Sequence, residues 1–332
     1  MGADPDDLAF ISNATGGVNA VLRSLAFSAG DELLTTDHAY AACRNTLDFV
    51  AARTGPAWSV AVIPFPVSSP DAIVDTVMAK VTPRTRLVLL DHITSPTGFI
   101  LPAERLIAEL GRRGVETLVD GAHVPGMIPL DLRTLRSHLL QRQLPQVAVR
   151  AQELGLSLGA PRSPGRCPSP DHQSRRHRVR PGRSRFRLEF DWMGTQDPTA
   201  WLTVPKAIDY MGKLVSGGWP ALMERNRALA LAARELLCVA AGSAPVCPDE
   251  MIGSLASVML PDSPTVETGW RVRDPIQGRL FDGWSIEVPI MRLARSAEAP
   301  AAISAQLYNS PEQYSRLAQA LREELALERV GR

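Results

Sequence analysis

Four short stretches of this 332-residue sequence carry side chains that could do chemistry together. They place Asp120 and His123 in Val119-Asp120-Gly121-Ala122-His123, His38 in Asp37-His38-Ala39-Tyr40, Thr15 in Asn13-Ala14-Thr15-Gly16, and Ser95 in Thr94-Ser95-Pro96-Thr97. All four follow apolar runs that read as strands, so they fall at strand carboxyl ends, where open α/β sheets bind ligands. An acid there can keep a proton on a neighbouring aromatic nitrogen, raising that nitrogen's pKa by roughly 1–3 units. Pyridoxal phosphate (PLP) needs such a partner, because its protonated ring is the sink for electrons released at a substrate carbon. Free N–H groups and a hydroxyl at the start of a helix near Thr15 suit a phosphate. Ordinary helix caps explain Asp120 and the Thr15 turn taken singly, and His38 alone reads equally as a surface histidine. Their joint occurrence favours a site.

The elements that position them alternate in type. Leu8 to Ile11, Leu33 to Thr36, Trp58 to Ile63, Arg86 to Leu90 and Thr117 to Val119 read as strands. Helical spacing begins near Thr15 and recurs over Ala72 to Val81 and Pro102 to Arg113, where Leu106, Ile107 and Leu110 share a face. This alternation predicts an α/β fold with a mainly parallel sheet covered by helices. Helices are also predicted over Ala200 to Met211, Pro220 to Val239 and Pro311 to Leu327, and strands over Val258 to Pro261 and Trp284 to Pro289, forming a smaller α+β C-terminal domain. The expected division is residues 1–135 with 182–215 as the large domain, 136–181 as an anomalous segment, and 216–332 as the small domain.

Composition narrows the class. With 45% apolar residues the chain is globular. No long uncharged apolar run predicts a membrane span, and the acidic start does not resemble a signal peptide, so a cytoplasmic location is expected. Cys43, Cys167, Cys238 and Cys247 lack paired metal-ligand spacing and are expected to be reduced thiols, with no metal centre. The net charge of +1 conceals an asymmetry: residues 136–185 carry 11 Arg against Glu153 and Asp171, while the remainder has 25 basic and 33 acidic residues.

Taken together, Ser12-Asn13-Ala14-Thr15-Gly16-Gly17-Val18-Asn19, Thr35-Thr36-Asp37-His38-Ala39-Tyr40, Asp91-His92-Ile93-Thr94-Ser95-Pro96-Thr97, Val119-Asp120-Gly121-Ala122-His123-Val124-Pro125-Gly126, Gly194-Thr195-Gln196-Asp197-Pro198 and Ile303-Ser304-Ala305-Gln306-Leu307-Tyr308-Asn309 resemble the class V aminotransferase superfamily. The likeness is strongest to the isopenicillin N epimerase-like group and more distant to cysteine desulfurases. It spans about residues 3–135 and 182–330. The resemblance implies the large domain of a fold type I PLP enzyme, a homodimer with sites shared between subunits, and a small amino-acid substrate. It implies that Ala14 and Thr15 hold the phosphate, that His38 stacks on the ring, that Ser95 and His123 lie near the ring oxygen, and that Asp120 binds the ring nitrogen. Thr195 is implied to reach the neighbouring subunit's phosphate.

The family also uses a lysine, after the Asp120 motif, to form a Schiff base with the cofactor. Here the only lysines are Lys80, Lys206 and Lys213, all in helical stretches away from that place. The family position falls instead at Gln146, inside the Arg-, Pro- and Ser-rich segment. A basic nucleic-acid-binding insert, a divergent loop and a wrong reading frame compete to explain it. Reading Leu139 to Gln152 one base later, with allowed synonymous codons, yields Phe-Tyr-Ser-Gly-Asn-Cys-His-Lys-Trp-Leu-Cys-Ala-Pro-Lys. This run restores the lysine, so a pair of compensating frame slips over about 136–180 is favoured, with no nucleic-acid partner.

As written, the segment is expected to be irregular and exposed, to leave the adjacent sheet poorly covered, and to abolish catalysis while permitting weak PLP binding. Ala302 stands where the family usually has the arginine that pairs with a substrate carboxylate. Met1 lies just before the first strand, where an N-terminal covering segment is expected, and a shortened reading frame would account for that. The implied activity is epimerisation at an amino-acid α-carbon. Cysteine desulfurisation or another lyase reaction, transamination, and a non-catalytic dimerisation role are the alternatives.

Overall fold

The computed structural model describes residues 2–135, 139–144, 154–159, 185–191, 194–195, 197–261, 274–291 and 299–330. Its larger sheet is built from β1 (Leu8–Ile11), β2 (Glu32–Thr36), β3 (Ala57–Ala61), β4 (Thr85–Asp91), β5 (Glu116–Asp120), β6 (Leu139–Leu144) and β7 (Leu154–Gly159), in the order β1-β7-β6-β5-β4-β2-β3. Strands β3, β2, β4, β5 and β6 run parallel, and β7 pairs antiparallel with both β6 and β1. The expected α/β architecture with a mainly parallel core is therefore the one observed.

Four helices connect the parallel strands: α1 (Ala14–Ser24), α2 (Ala41–Thr54), α3 (Pro70–Lys80) and α4 (Ala103–Arg112). Their starts and stops follow local chemistry. Asn13 and Ser69 cap α1 and α3 by accepting the Gly16 and Ala72 N–H groups, and Gly55 ends α2 in the left-handed region at φ 87°. Because strand side chains alternate, the sheet has two distinct faces. Leu33, Leu87, Leu89 and Leu118 pack with Val18, Val21, Cys43 and Leu47 of α1 and α2. Leu34, Val88 and Leu90 point the other way, into a core shared with Ile73, Val77, Leu106 and Leu110 of α3 and α4.

That second core continues into the C-terminal half. After α5 (Leu132–Leu135), α6 (Arg185–Phe190) and α7 (Thr199–Met211) come the long α8 (Gly218–Ala241), β8 (Leu255–Leu260), α9 (Pro275–Trp284), β9 (Ala299–Ser304) and α10 (Pro311–Val330). Ala230, Leu237, Val258, Leu280, Ile303 and Leu321 from these elements belong to the same apolar cluster as Val88 and Leu90. Strands β8 and β9 form a separate two-stranded antiparallel sheet.

Two expectations need correction. The segment 136–181 is not irregular throughout, since β6 and β7 lie within it and α1 packs against both. Leu154, Leu156 and Leu158 alternate with Gly and Ser, a period of two that suits a strand even inside a foreign stretch. The proposed strand from Trp284 to Pro289 is also absent. Trp284 ends α9, Ser285 adopts φ 54°, and pairing is limited to a bridge between Ile290 and Ala301. Pro289 and Pro300 have no N–H to extend a ladder. The alternation itself holds: Val288 and Ile290 are buried, while Ser285, Glu287 and Pro289 are exposed.

Candidate active site at the strand carboxyl ends

The parallel pairing of β4 with β5 sets Asp91 directly beside Asp120 at the ends of the two strands. Each lies two residues beyond a leucine of the α1/α2 face, Leu89 and Leu118, so both carboxyl groups turn toward α2. There the Cys43 thiol lies 3.4 Å from Asp120 Oδ2, and the Ala122 N–H donates to Asp120 Oδ1 at 3.0 Å. Backbone N–H groups of Tyr40 and Ser95 donate to Asp91, yet its Oδ1 has no partner among the described residues. Asp91 and Asp120 are 2% and 5% exposed, and neither forms a salt bridge among the described residues.

Two acids this close and this dry cannot both ionise freely. Burial, then the Asp120 charge, holds Asp91 well above the usual carboxylate range. Asp120 is also raised by burial, against the opposing pull of the Ala122 N–H, the Cys43 thiol and His123. Burial and the two carboxyl groups push the Cys43 thiol up, and burial lowers His123 against the charge of Asp120. The result is a buried acidic pocket that no described cation bridges, the Arg44 charge offsetting only part of the rise at Asp91. A protonated ring nitrogen would supply one, and in this respect the residues fit PLP.

His38 enters from the opposite side. Its ring lies 5.7 Å from Phe65 and 5.5 Å from Phe99, on the α3/α4 face, and its Nδ1 is 2.8 Å from Thr97 Oγ1. The ring is buried, and Nε2 has no partner among the described residues. Ala14 is buried and Thr15 half-buried in the first turn of α1, where the Asn13 carboxamide occupies the Gly16 N–H at 2.7 Å. Thr195 is exposed in a bend after Gly194 and makes no hydrogen bond to the other site residues among the described residues. Asp120, His123 and the Ser95 backbone are thus gathered with Asp91 and Cys43, while among the described residues no hydrogen bond joins His38 or Thr195 to that group. Gln146 lies outside the described residues. Lys80, Lys206 and Lys213 are exposed on or just after α3 and α7, so the amine half of a covalent PLP site has no candidate among them.

Sequence reasoning missed Asp91 and Cys43 as partners of Asp120. The signal was a shared phase, because Asp91 ends its apolar run as Asp120 ends its own. Strand adjacency was needed to use it.

Comparison with known proteins decides the family. The model of the class V aminotransferase family matches residues 1–140. Isopenicillin N epimerase of Amycolatopsis lactamdurans is 35% identical over 338 residues, covering 97% of this chain and 82% of that protein. The chain belongs to the class V aminotransferase family. The isopenicillin N epimerase of Streptomyces clavuligerus is 31% identical, covering 97% of this chain and 81% of its own length. A putative L-cysteine desulfhydrase of Oryza sativa subsp. japonica is 28% identical, covering 96% and 70%. Among solved structures, the cystine C-S lyase C-DES in complex with its product cysteine persulfide superposes with a TM-score of 0.76 at 19% identity, covering 97% of this chain and 82% of that one. This family is associated with PLP, and no described helix is long and apolar enough to cross a membrane.

Proposed function

We propose that this chain is an isopenicillin N epimerase-like PLP protein that holds the cofactor without a covalent anchor and has lost catalysis as written. One observation carries the reading: the acid at the end of β5 is retained in its buried pocket, while the sequence has no lysine between Lys80 and Lys206. When bound, PLP supplies an electron sink for the substrate's α-carbon. Asp120 would hold the proton on the ring nitrogen, with Asp91 as its neutral neighbour. Ala14 and Thr15 would receive the phosphate, Ser95 and His123 the ring oxygen, and Thr195 the phosphate of a second subunit. His38 would border the ring.

Epimerisation requires one group to take the α-proton and another to return a proton from the opposite face. The role that the family gives to its lysine is unfilled here, because Gln146 stands at that position and has no basic amine. The frame slip over about 136–180 is the proposed origin of that loss. Sequencing the DNA beneath residues 130–185 checks it, and an unbroken frame in independent isolates overturns it.

The test of the whole reading is a PLP titration followed by absorbance, with borohydride treatment and intact mass. Saturable binding weakened by Asp120→Asn, with no mass increase after reduction and no turnover of amino acids, is expected. A borohydride-fixed adduct overturns the inactive reading, and an absence of saturable binding overturns the cofactor reading. A second reaction class on the same scaffold, carbon–sulfur cleavage, is favoured by the desulfhydrase relatives and the C-S lyase structure. Assays of a frame-restored chain against cysteine and against an L-amino acid epimerisation substrate separate the two. A non-catalytic homodimer is supported by the exposed apolar side chains of α7.

A further inference from the structure

The His38 ring is tied to a file of two hydroxyls whose proton count fixes its tautomer. Thr94 Oγ1 accepts the Phe99 N–H at 2.9 Å and lies 2.7 Å from Thr97 Oγ1, which lies 2.8 Å from His38 Nδ1. All three side chains are buried. Each hydroxyl has one proton to donate. Among the described residues, the Thr94 hydroxyl has no acceptor other than Thr97 Oγ1, so its proton points there. Thr97 must then direct its own proton onward, to His38 Nδ1. That nitrogen is an acceptor, which leaves the ring proton on Nε2.

We propose that Thr94 and Thr97 are positioning residues that lock His38 as the neutral Nε2–H tautomer, making it a hydrogen-bond donor to the group bound at the strand ends and not a base. Nε2 is buried with no partner among the described residues, so the donor is held in reserve for a ligand. Burial depresses the imidazole pKa against the charge of Asp37, whose carboxylate already accepts the Ile63 N–H at 2.9 Å, and this keeps the ring neutral. The frame around the relay is stiff. Ser257 of β8 donates to the Thr97 carbonyl, the Gly98 N–H donates to the Thr94 carbonyl at 2.8 Å, and Phe65 and Phe99 flank the ring. The tautomer assignment stands on this geometry alone, and its use toward PLP rests on the proposed function.

Nitrogen-15 NMR of imidazole-labelled full-length protein tests it, because two-bond nitrogen–proton correlations distinguish the two neutral tautomers. The sequence has six histidines, and the His38 signal is assigned by its loss in His38→Gln. The free protein is expected to show the Nε2–H pattern. Thr97→Ser should keep it and Thr97→Val should lose it, with fold checked by circular dichroism. PLP addition should shift the Nε2 resonance. An Nδ1–H pattern in the unsubstituted protein, or an unchanged pattern in folded Thr97→Val, overturns the lock. An Nε2 signal that does not move when absorbance shows PLP bound overturns the donor role, whereas absence of binding by absorbance is the failure of the cofactor reading.

Discussion

At the scale of single residues, the carboxyl pair sets the behaviour of the site. Asp120→Asn removes the anion that a cationic ring would meet and is expected to weaken PLP binding about tenfold to a hundredfold, roughly 1.4–2.8 kcal/mol, as read by absorbance titration. The same pair makes a pH prediction. Asp91 and Asp120 are held above the value of a free Asp, so the folded state binds protons more tightly than the unfolded chain. Their contribution to stability is full below the unfolded pKa of about 4 and declines as pH rises through the folded values. Asp91→Asn removes one titrating member while keeping its shape. Its stability relative to the unsubstituted protein should therefore rise with pH above about 4, by on the order of 1–3 kcal/mol at neutral pH in urea unfolding. A flat difference across pH would show that Asp91 carries no such strain. Asp120, His123 and Ser95 were readable because each ends or follows an apolar run in a motif. Cys43 was not, since nothing along the chain states that α2 presents its thiol to the end of β5.

At the scale of elements, the turn from β4 to α4 links the larger sheet to β8, and Gly98 is its tightest point. It sits at φ 69°, and a Cβ there would fall 2.7 Å from Leu255 Cβ and 3.0 Å from the Leu255 carbonyl carbon. Gly98→Ala is expected to cost about 1–3 kcal/mol, combining left-handed strain with a backbone collision, measured by chemical denaturation. The parallel strands were legible because buried β-strands read as short apolar runs closed by turns and caps. Over 284–290 the apolar alternation matches which side chains are buried but does not make the backbone pair, because Pro289 and Pro300 interrupt the ladder without disturbing the alternation. Within 136–181 the mismatch runs the other way. The segment's average composition conceals the leucine alternation at 154–158, which has the period of a strand.

At the scale of the whole molecule, α7 leaves apolar side chains uncovered by the described residues. Leu202, Ile208 and Tyr210 are 73%, 41% and 59% exposed, and the helix meets its surroundings through Trp201 stacked 5.5 Å from Phe10 and through buried Met211. Apolar side chains repeated along one helix are the pattern of a surface awaiting a partner, and Thr195, proposed to reach a neighbour's phosphate, lies four residues before α7 begins. If a second copy covers α7, the two observations have one cause: docking the helix carries Thr195 across to the other site. Leu202→Glu combined with Tyr210→Glu places two charges at that surface. Sedimentation should then change from twice the 36.0 kDa chain mass to a single chain, and PLP binding should weaken in parallel although neither substituted side chain is proposed to touch the cofactor. Dissociation with unchanged PLP affinity would confine each site to one chain, and a dimer that survives both charges would place the interface elsewhere.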